Sequence, residues 1–336
     1  MRVLVTGGAG YIGSVVAQEL IRSGHKVIVY DDLSHGYRAA VPVEAEFIQG
    51  NIADSEKLGL LFDRFSIEGV IHLAAFIEAG ESMKIPEKYF RNNSINTLSL
   101  LEAMLARGIK RLVFSSTAAL YGNPESIPIR EEDPLRPTNV YGESKLLVEQ
   151  MLAWFHRIYG LRYASLRYFN AAGAAGALGE AHQPESHLIP LILQVALSKR
   201  ESISIFGADY PTADGSCIRD YIHVSDLATA HLLALEALGS RDKLIYNLGN
   251  GKGFSVREVI AMAREVTGHA IPAVEAPRRP GDPAVLVASS EKIQKELNWK
   301  PQYGDIKKII ASAWEWHRGH PDGYHSPDSR QIQCPA

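Results

Sequence analysis

The sequence has few cysteines, no long apolar run and no excess of charge of one sign. Its 336 residues include two cysteines, Cys217 and Cys334, which lie far apart in the chain. This usage argues against a disulfide framework and indicates a reducing compartment, so we expect a cytoplasmic protein. A strand-like run begins directly after Met1, so we expect no signal peptide. No apolar stretch approaches the roughly 20 residues that a membrane span needs, and we expect no membrane partner.

The charge balance also excludes a class of partner. A formal net charge of −3 provides no basic surface for nucleic acid, and we expect none to bind. With 46% apolar and 22% charged residues, the chain has the composition of an ordinary globular protein. Its length suits two domains, or one large α/β unit with a lobe.

A glycine-rich turn near the start predicts a dinucleotide site. Gly7, Gly10 and Gly13 lie between a β-branched run, Arg2–Thr6, and an apolar helical segment. Glycines at this spacing permit a tight turn and let a pyrophosphate approach the helix N-terminus, where free N–H groups point outward. A second strand ends at Asp31, whose carboxylate can bind both adenosine ribose hydroxyls and would repel a 2′-phosphate. The pattern therefore predicts NAD as the cofactor, in preference to NADP.

Strands and helices alternate through the first half of the chain. The apolar strands, each followed by a helix, predict a doubly wound parallel Rossmann sheet. Small residues end the fourth strand, which lets a flat cofactor approach the sheet. The predicted strands are 2–6, 26–30, 46–49, 69–73, 111–114 and 163–168, and the first half also contains predicted helices at 54–64 and 86–107.

The segment from Tyr141 to Lys145 begins a helix and predicts a general acid/base unit. Residues four apart lie on one face of a helix, so the Tyr141 phenol and the Lys145 ammonium should be neighbours. A nearby cation favours the phenolate and lowers its pKa from about 10. Tyr303 and Lys307 have the same spacing, so the pattern alone does not decide between the pairs. Thr117 ends the fifth strand, where Rossmann folds place their chemistry, and it favours the first pair.

From Asn170 onward the composition changes and predicts a smaller C-terminal α/β substrate lobe. A loop of small residues, predicted to be flexible, spans 171–176. Predicted helices follow at 187–199, 227–238, 254–266 and 305–317, with strands at 203–206 and 244–248. We assign residues 1–171 and 216–250 to the cofactor domain, 172–215 and 251–324 to the lobe, and 325–336 to a loose tail.

Two arginines of the second half, Arg219 and Arg279, lie in segments otherwise poor in positive charge. Arginines from separate loops can hold a diphosphate through paired hydrogen bonds. The alternative is that each forms a surface ion pair. His72 and His223 lack neighbours at metal-ligand spacing, so we interpret them as structural and expect no metal. Cys217 has no activating histidine pattern and is interpreted as an inert thiol.

Seven stretches together resemble the nucleotide-sugar 4-epimerases of the extended short-chain dehydrogenase/reductase superfamily. The similarity runs from Met1 to about Tyr324. The superfamily shares the first and third stretches, and the others are more specific to the 4-epimerases. The stretches are Val5–Gly13, Phe114–Gly122, Tyr141–Lys145, Arg167–Asn170, Arg219–Val224, Tyr246–Gly249 and Arg279–Asp282.

The resemblance implies reversible epimerisation of UDP-galactose and UDP-glucose at carbon 4. Tyr141, as phenolate and assisted by Thr117, would remove the 4-hydroxyl proton while carbon 4 passes a hydride to NAD. The 4-keto sugar would then turn its other face and take the hydride back. Lys145 would lower the Tyr141 pKa and bind the nicotinamide ribose.

The resemblance also implies two sets of binding residues. The NAD set is Gly7, Gly10, Tyr11, Ile12, Gly13, Asp31, Asp32, Asn51, Ile52, Leu73, Ala74, Ala75, Asn92, Tyr141, Lys145 and Phe169. The set for the UDP-hexose substrate is Thr117, Asn170, Leu188, Phe206, Arg219, Tyr221, Arg279 and Asp282.

The chain departs from the family pattern at Ile77, where many members have a lysine that reaches the cofactor. Leu286 occupies the position that limits the 2-substituent of the sugar, which leaves N-acetylated sugars open. UDP-glucuronate and UDP-pentose 4-epimerases also remain open, as does a non-catalytic protein that senses NAD. A sugar dehydratase is excluded, because Ala118 and Ala119 supply no acid after Thr117.

Two predicted helices, Pro86–Arg107 and Val140–Arg157, carry more apolar residues than one sheet face would cover. Such helices pair across a two-fold axis in the family, so we expect a homodimer. The alternative is simple packing on the sheet.

Overall fold

The computed structural model describes residues 1–279 and 282–324. Most of its strands belong to one large parallel sheet, and the rest form two small sheets in the C-terminal half. In chain order the strands are β1 Arg2–Thr6, β2 Lys26–Asp31, β3 Glu46–Gln49, β4 Gly69–His72, β5 Arg111–Thr117, β6 Arg162–Tyr168, β7 Asn170–Ala172, β8 Ile203–Phe206, β9 Ile218–His223, β10 Lys243–Leu248, β11 Gly253–Ser255, β12 Ala273–Ala276 and β13 Val285–Leu286.

The helices alternate with these strands. In chain order they are α1 Tyr11–Arg22, α2 Ser55–Phe65, α3 Ala79–Ser82, α4 Pro86–Tyr89, α5 Asn96–Leu105, α6 Val140–Tyr159, α7 Leu188–Ala196, α8 Val224–Ala237, α9 Val256–Thr267, α10 Glu291–Leu297 and α11 Ile306–Gly319. No helix in the described ranges is long and apolar enough to cross a membrane.

The large sheet confirms the predicted doubly wound fold. Its seven described strands run in the order β10-β6-β5-β4-β1-β2-β3, and all neighbours are parallel. Successive residues of a strand point to opposite faces. Val3 and Val5 of β1 therefore join one apolar core, and Leu4 joins the other. The prediction counted six strands in this sheet, and β10 is the seventh, paired with β6.

The C-terminal half forms a smaller α/β body. Strand β9 pairs with β11, β13 and β7, while β8 pairs with β12. Helices α7, α9 and α11 contribute apolar residues to a separate buried cluster here. Because β7 follows β6 after one residue and pairs with β9, it connects this body to the large sheet.

Several predicted elements differ from the structure, and three of the differences bear on the site. The predicted helix 86–107 contains a π-helical segment, Phe90–Ile95, between α4 and α5. Helix α8 begins at Val224 and not at Leu227, because the His223 side chain accepts a hydrogen bond from Ser225 N at 3.1 Å and caps the helix. The loop predicted to be flexible begins as β7, paired with β9. The predicted loose tail at 325–336 lies outside the described residues.

Candidate active site

The glycine turn brings the start of α1 against the end of β4. Gly7 has a φ of +72°, and a Cβ there would lie 2.5 Å from Ala74 N. A Cβ on Gly13 would lie 2.0 Å from Gly7 O. Both positions exclude larger residues because backbone fills the space. The first turn of α1, from Tyr11 to Gly13, lines the cleft, and the free N–H groups of a helix N-terminus favour an anion there.

Two aspartates at the end of β2, Asp31 and Asp32, line the same cleft as the glycine turn. Asp31 is almost buried, and its two oxygens accept hydrogen bonds from Ala9 N at 3.0 Å and Leu33 N at 2.9 Å. Burial raises the pKa of Asp31, and the two backbone hydrogen bonds oppose the rise. Asp32 accepts from Asn51 Nδ2 at 2.7 Å. A carboxylate has more lone pairs than these bonds use, so Asp31 can still accept from ribose hydroxyls.

Most of the predicted NAD set lines one cleft at the carboxyl ends of the large sheet. Lys145 is the exception, because it lies buried behind the wall. Thr117 and Asn170, predicted to contact the substrate, also line the cleft. The lining residues from the NAD set are Gly7, Gly10, Tyr11, Ile12, Gly13, Asp31, Asp32, Asn51, Ile52, Leu73, Ala74, Ala75, Asn92, Tyr141 and Phe169.

The first turn of α6 positions Tyr141 in this cleft. Asn139 caps the helix by accepting from Gly142 N at 2.8 Å. Tyr141 N donates to Ser82 Oγ at 3.1 Å, and Ser144 Oγ donates to Tyr141 O at 2.7 Å. The backbone of Tyr141 is thus held on both sides. The Thr117 hydroxyl, at the end of β5, lines the same cleft as the Tyr141 phenol and favours the ionised phenolate.

Burial has the largest effect on the pKa values of both Tyr141 and Lys145. Burial raises the pKa of Tyr141 to about 12; the Thr117 hydroxyl lowers it, and the Glu78 carboxylate raises it. Burial also lowers the pKa of Lys145 to about 7, so its charge is only partly retained at neutral pH. The Lys145 ammonium donates to Ser115 O at 2.9 Å.

The π-helical segment, Phe90–Ile95, is joined to α6 by side-chain hydrogen bonds. Asn93 is buried and bonds the backbone of Phe76 through both amide atoms, at 2.9 and 3.0 Å. Its Nδ2 also donates to Ser144 Oγ at 3.1 Å, and Ser94 Oγ donates to Ser144 O at 2.9 Å. The segment thereby fixes the turn that carries Tyr141 and turns Asn92 into the cleft. Such π segments are frequent at functional sites.

A buried ion pair holds the strand that carries Thr117. Arg167 binds both oxygens of Glu149, with Nη2–Oε2 at 2.6 Å and Nε–Oε1 at 3.0 Å. Ser116 Oγ donates to the same carboxylate at 2.6 Å, and Arg167 Nη1 donates to Tyr121 OH at 2.9 Å. Because the network joins β5, β6 and α6, it fixes the end of β5 relative to the helix of Tyr141.

The other predicted substrate residues lie in the C-terminal body, beside Asn170. Tyr221 is buried opposite Asn170 where β7 and β9 pair. Arg219 donates to the Asp282 carboxylate, so its charge already has a partner. The Arg279 guanidinium lies 4.1 Å from the centre of the Phe206 ring. Leu188 is the first residue of α7.

The second Tyr-Lys pair has a different environment. The Tyr303 ring stacks on His223 with centroids 3.8 Å apart, and the Lys307 ammonium binds Glu265 at 2.6 Å. Neither residue lines the cleft. His72 agrees with its structural interpretation, because its two ring nitrogens bond Thr6 Oγ1 and Thr97 Oγ1, each at 2.7 Å. Cys217 is buried, which raises the pKa of its thiol.

Several residues of the cleft were not predicted from the sequence, and three of them come from one loop. Glu180, His182 and His187 line the cleft from the loop between β7 and α7. The spacing Glu-x-His-x-x-Glu-x-His in this loop was the signal that could have identified them.

The glycine turn, the acidic end of β2 and the hydroxyl groups of Thr117 and Tyr141 at one cleft define a class of enzyme. It is the class that moves a hydride between a dinucleotide and a carbon that bears a hydroxyl group. The chain belongs to the NAD dependent epimerase/dehydratase family, whose model matches residues 3–249. NAD is its cofactor.

Three of the proteins that are similar to this chain are UDP-glucose 4-epimerases. A UDP-glucose 4-epimerase of Halalkalibacterium halodurans is 55% identical over 96% of this chain and 98% of its own. The structure of UDP-glucose 4-epimerase from Brucella ovis with NAD is 43% identical, with a TM-score of 0.91 over 96% of this chain and 98% of that one. The Bifidobacterium longum UDP-glucose 4-epimerase with NAD+ and UDP is 37% identical, with a TM-score of 0.92 over 96% and 100%.

Proposed function

We propose that this protein interconverts UDP-galactose and UDP-glucose at carbon 4, with NAD reduced and re-oxidised within each turnover. The observation that carries the proposal is that Thr117, at the end of β5, and Tyr141, in the first turn of α6, line the same cleft as the glycine turn. The similar proteins named as UDP-glucose 4-epimerases support the choice of substrate.

Each residue of the catalytic group has a separate role. Tyr141 takes the proton from the sugar 4-hydroxyl and later returns it, and the neighbouring Thr117 hydroxyl favours the phenolate. NAD, when bound, accepts a hydride from carbon 4 and gives it back to the other face of the keto sugar. The positive charge of oxidised nicotinamide favours the phenolate, which opposes the effect of burial on Tyr141. We assign Lys145, whose ammonium donates to the backbone of the cleft residue Ser115, to the cofactor ribose, and when protonated it adds to this effect.

The substrate is bound firmly through its UDP part and loosely through its sugar. This division lets the keto sugar turn over while it remains attached. We assign UDP binding to Asn170, Leu188, Phe206, Arg219, Tyr221, Arg279 and Asp282, which lie on or beside the small sheets. The Arg219–Asp282 pair and the stacking of Arg279 on Phe206 orient both guanidinium groups before a diphosphate binds. We also propose that residues 1–171 and 216–250 form the NAD domain, and that 172–215 and 251–324 form the UDP-sugar lobe.

The apolar surface of α6 supports a homodimer. Trp154, Ile158 and Tyr159 near its end are about half exposed or more, and so is Ile95 in the π-helical segment that packs against this helix. Exposed apolar side chains on adjacent helices are typical of a helical dimer interface. Sedimentation of the purified protein tests the dimer, and Trp154→Glu should shift it towards the monomer. A cytoplasmic location stays a prediction from the sequence.

The experiment that tests the proposed function is an NMR assay of purified protein with NAD and single UDP-sugars. UDP-galactose should be converted to UDP-glucose, and Tyr141→Phe should abolish the conversion. Turnover of only UDP-N-acetylgalactosamine, UDP-glucuronate or UDP-xylose would keep the chemistry and reject the proposed hexose. If none of the four sugars is converted, the protein binds NAD without this chemistry and the proposal is wrong.

A further inference from the structure

Four metal-ligating side chains converge on the loop between β7 and α7. The Glu180 Oε1 atom lies 3.0 Å from His182 Nδ1 and 2.8 Å from His187 Nδ1. Glu185 Oε1 lies 2.9 Å from His187 Nδ1. All four ligand atoms lie within 4.8 Å of one another. None of the four residues has a role in the proposed transfer of the proton or the hydride.

The cluster is enclosed and has an entry path. The side chains of Glu180 and Glu185 are only 4% and 5% exposed, so two carboxylates are held away from water. Buried carboxylates need a compensating positive charge. His187 is 38% exposed and lines the cleft, which gives an ion access from that side.

We propose that Glu180, His182, Glu185 and His187 bind a divalent cation of the zinc class. Two imidazole nitrogens and two carboxylate oxygens are a ligand set that zinc accepts, whereas calcium and magnesium prefer oxygen ligands alone. In a tetrahedral site with bonds of about 2.0–2.1 Å, the ligand atoms are about 3.3 Å apart. The three short pairs are a few tenths of an ångström closer than this and all other pairs lie within 4.8 Å, so movements of the side chains alone would admit the ion.

The chain arrangement favours such a site. The four ligands lie within eight successive residues, so the ion closes only short loops and the entropy that binding removes is small. One divalent cation also balances the charge of the two carboxylates.

A bound ion would stabilise one wall of the cleft. The loop continues directly into α7, which begins at Leu188. The His182 ring lies edge-on to Tyr11, with centroids 6.4 Å apart, and Tyr11 lines the cleft beside the glycine turn. The ion therefore has a structural role: it fixes the loop that the cofactor and the start of α7 both approach.

The test is calorimetric titration of Zn²⁺ into chelator-treated, full-length protein. We expect one saturable site per chain, and His182→Ala and His187→Ala should each weaken it at least about tenfold. His25→Ala is the matched control, because this ring faces Glu236 at 3.7 Å outside the cluster and its loss should change nothing. Far-ultraviolet circular dichroism checks that each variant is folded.

A second probe makes the coordination visible. Co²⁺ in place of Zn²⁺ should give the strong visible absorption of a tetrahedral site, and the His187→Ala protein should lack it. If Zn²⁺ shows no saturable binding, the proposal is wrong, and only pairing between the carboxylates and the imidazole rings holds the four side chains together. Equal binding by wild type and both histidine variants also overturns it, because the ion would then lie elsewhere. These readouts do not depend on epimerase activity.

Discussion

Two segments of this chain have the same Tyr-Gly-acid-x-Lys pattern, and their surroundings make them different. Tyr141 lies in a cleft with Thr117, and its helix is braced by Asn93 and Ser94. Tyr303 stacks on His223, while Lys307 forms an ion pair near the surface. Spacing therefore does not define a catalytic tyrosine. We propose that a position in the cleft at the carboxyl ends of the parallel strands, beside a hydroxyl group, defines it.

The largest expected difference between the two segments is catalytic. Tyr141→Phe removes the proton acceptor and should lower kcat for UDP-galactose by about 10²–10⁴-fold, the usual contribution of general acid/base catalysis. Tyr303→Phe removes only a hydroxyl that is remote from the cleft, so its kcat should stay within a factor of about two. Steady-state assays of the two NAD-loaded variants measure this contrast. Equal losses would mean that the segments do not differ as described.

The second-largest expected difference is in the stability that the ion pair near each segment contributes. Glu149→Ala leaves Arg167 buried without its partner and should lower the free energy of unfolding by about 3–5 kcal/mol. Glu265→Ala removes the partner of the largely exposed Lys307 and should cost less than about 1 kcal/mol. Urea unfolding followed by fluorescence measures both variants. A small loss at Glu149 would show that the buried network is not needed to hold β5.

Substitution of the glycine that follows each tyrosine should give a smaller difference in stability. A Cβ on Gly142 would lie 2.7 Å from Ala119 O, whereas a Cβ on Gly304 would meet nothing within 4 Å. Gly142→Ala should therefore destabilise the protein by about 1–3 kcal/mol, as overpacking does. Gly304→Ala should change stability by no more than about 0.5 kcal/mol. Thermal unfolding of the two variants distinguishes these values, and similar shifts would contradict the steric explanation.

The smallest expected effect concerns the histidine under Tyr303. Burial lowers the pKa of His223 from 6.5 to about 4. The unfolded chain therefore binds a proton below about pH 6.5 that the folded protein takes up only near pH 4, so stability falls as the pH falls through this window. At pH 5.5 the loss from His223 is roughly 1 kcal/mol. Unfolding of wild type and His223→Gln at pH 7 and 5.5 should show a weaker pH dependence in the variant; an identical dependence would contradict the assignment.

Local patterns predicted the elements that depend on neighbours in sequence. The glycine turn, Asp31 after β2 and Thr117 after β5 follow from the order of strand, turn and helix. The same order of strand, turn and helix predicted the fold, because neighbouring parallel strands must be joined by a crossover that is usually a helix. Features that depend on distant contacts were missed. The π-helical segment relies on bonds from Asn93 to Phe76 and Ser144, and its sequence gives no sign of those partners.

The pKa values of the site residues could not be predicted from the sequence either. The spacing of Tyr141 and Lys145 correctly brings two ionisable groups to one helix turn, but their pKa values depend on burial. The cluster of Glu180, His182, Glu185 and His187 also needed the structure. Its spacing can be read from the sequence, but only the fold shows that the four side chains meet.

The most direct test of the central claim follows the hydrogen at carbon 4. UDP-galactose deuterated at this carbon is converted by the NAD-loaded protein in ordinary water, and the UDP-glucose product is examined by NMR and mass spectrometry. We predict that deuterium stays at carbon 4, because the hydride leaves and returns within the cleft beside Tyr141. Replacement of the deuterium by solvent hydrogen would contradict it.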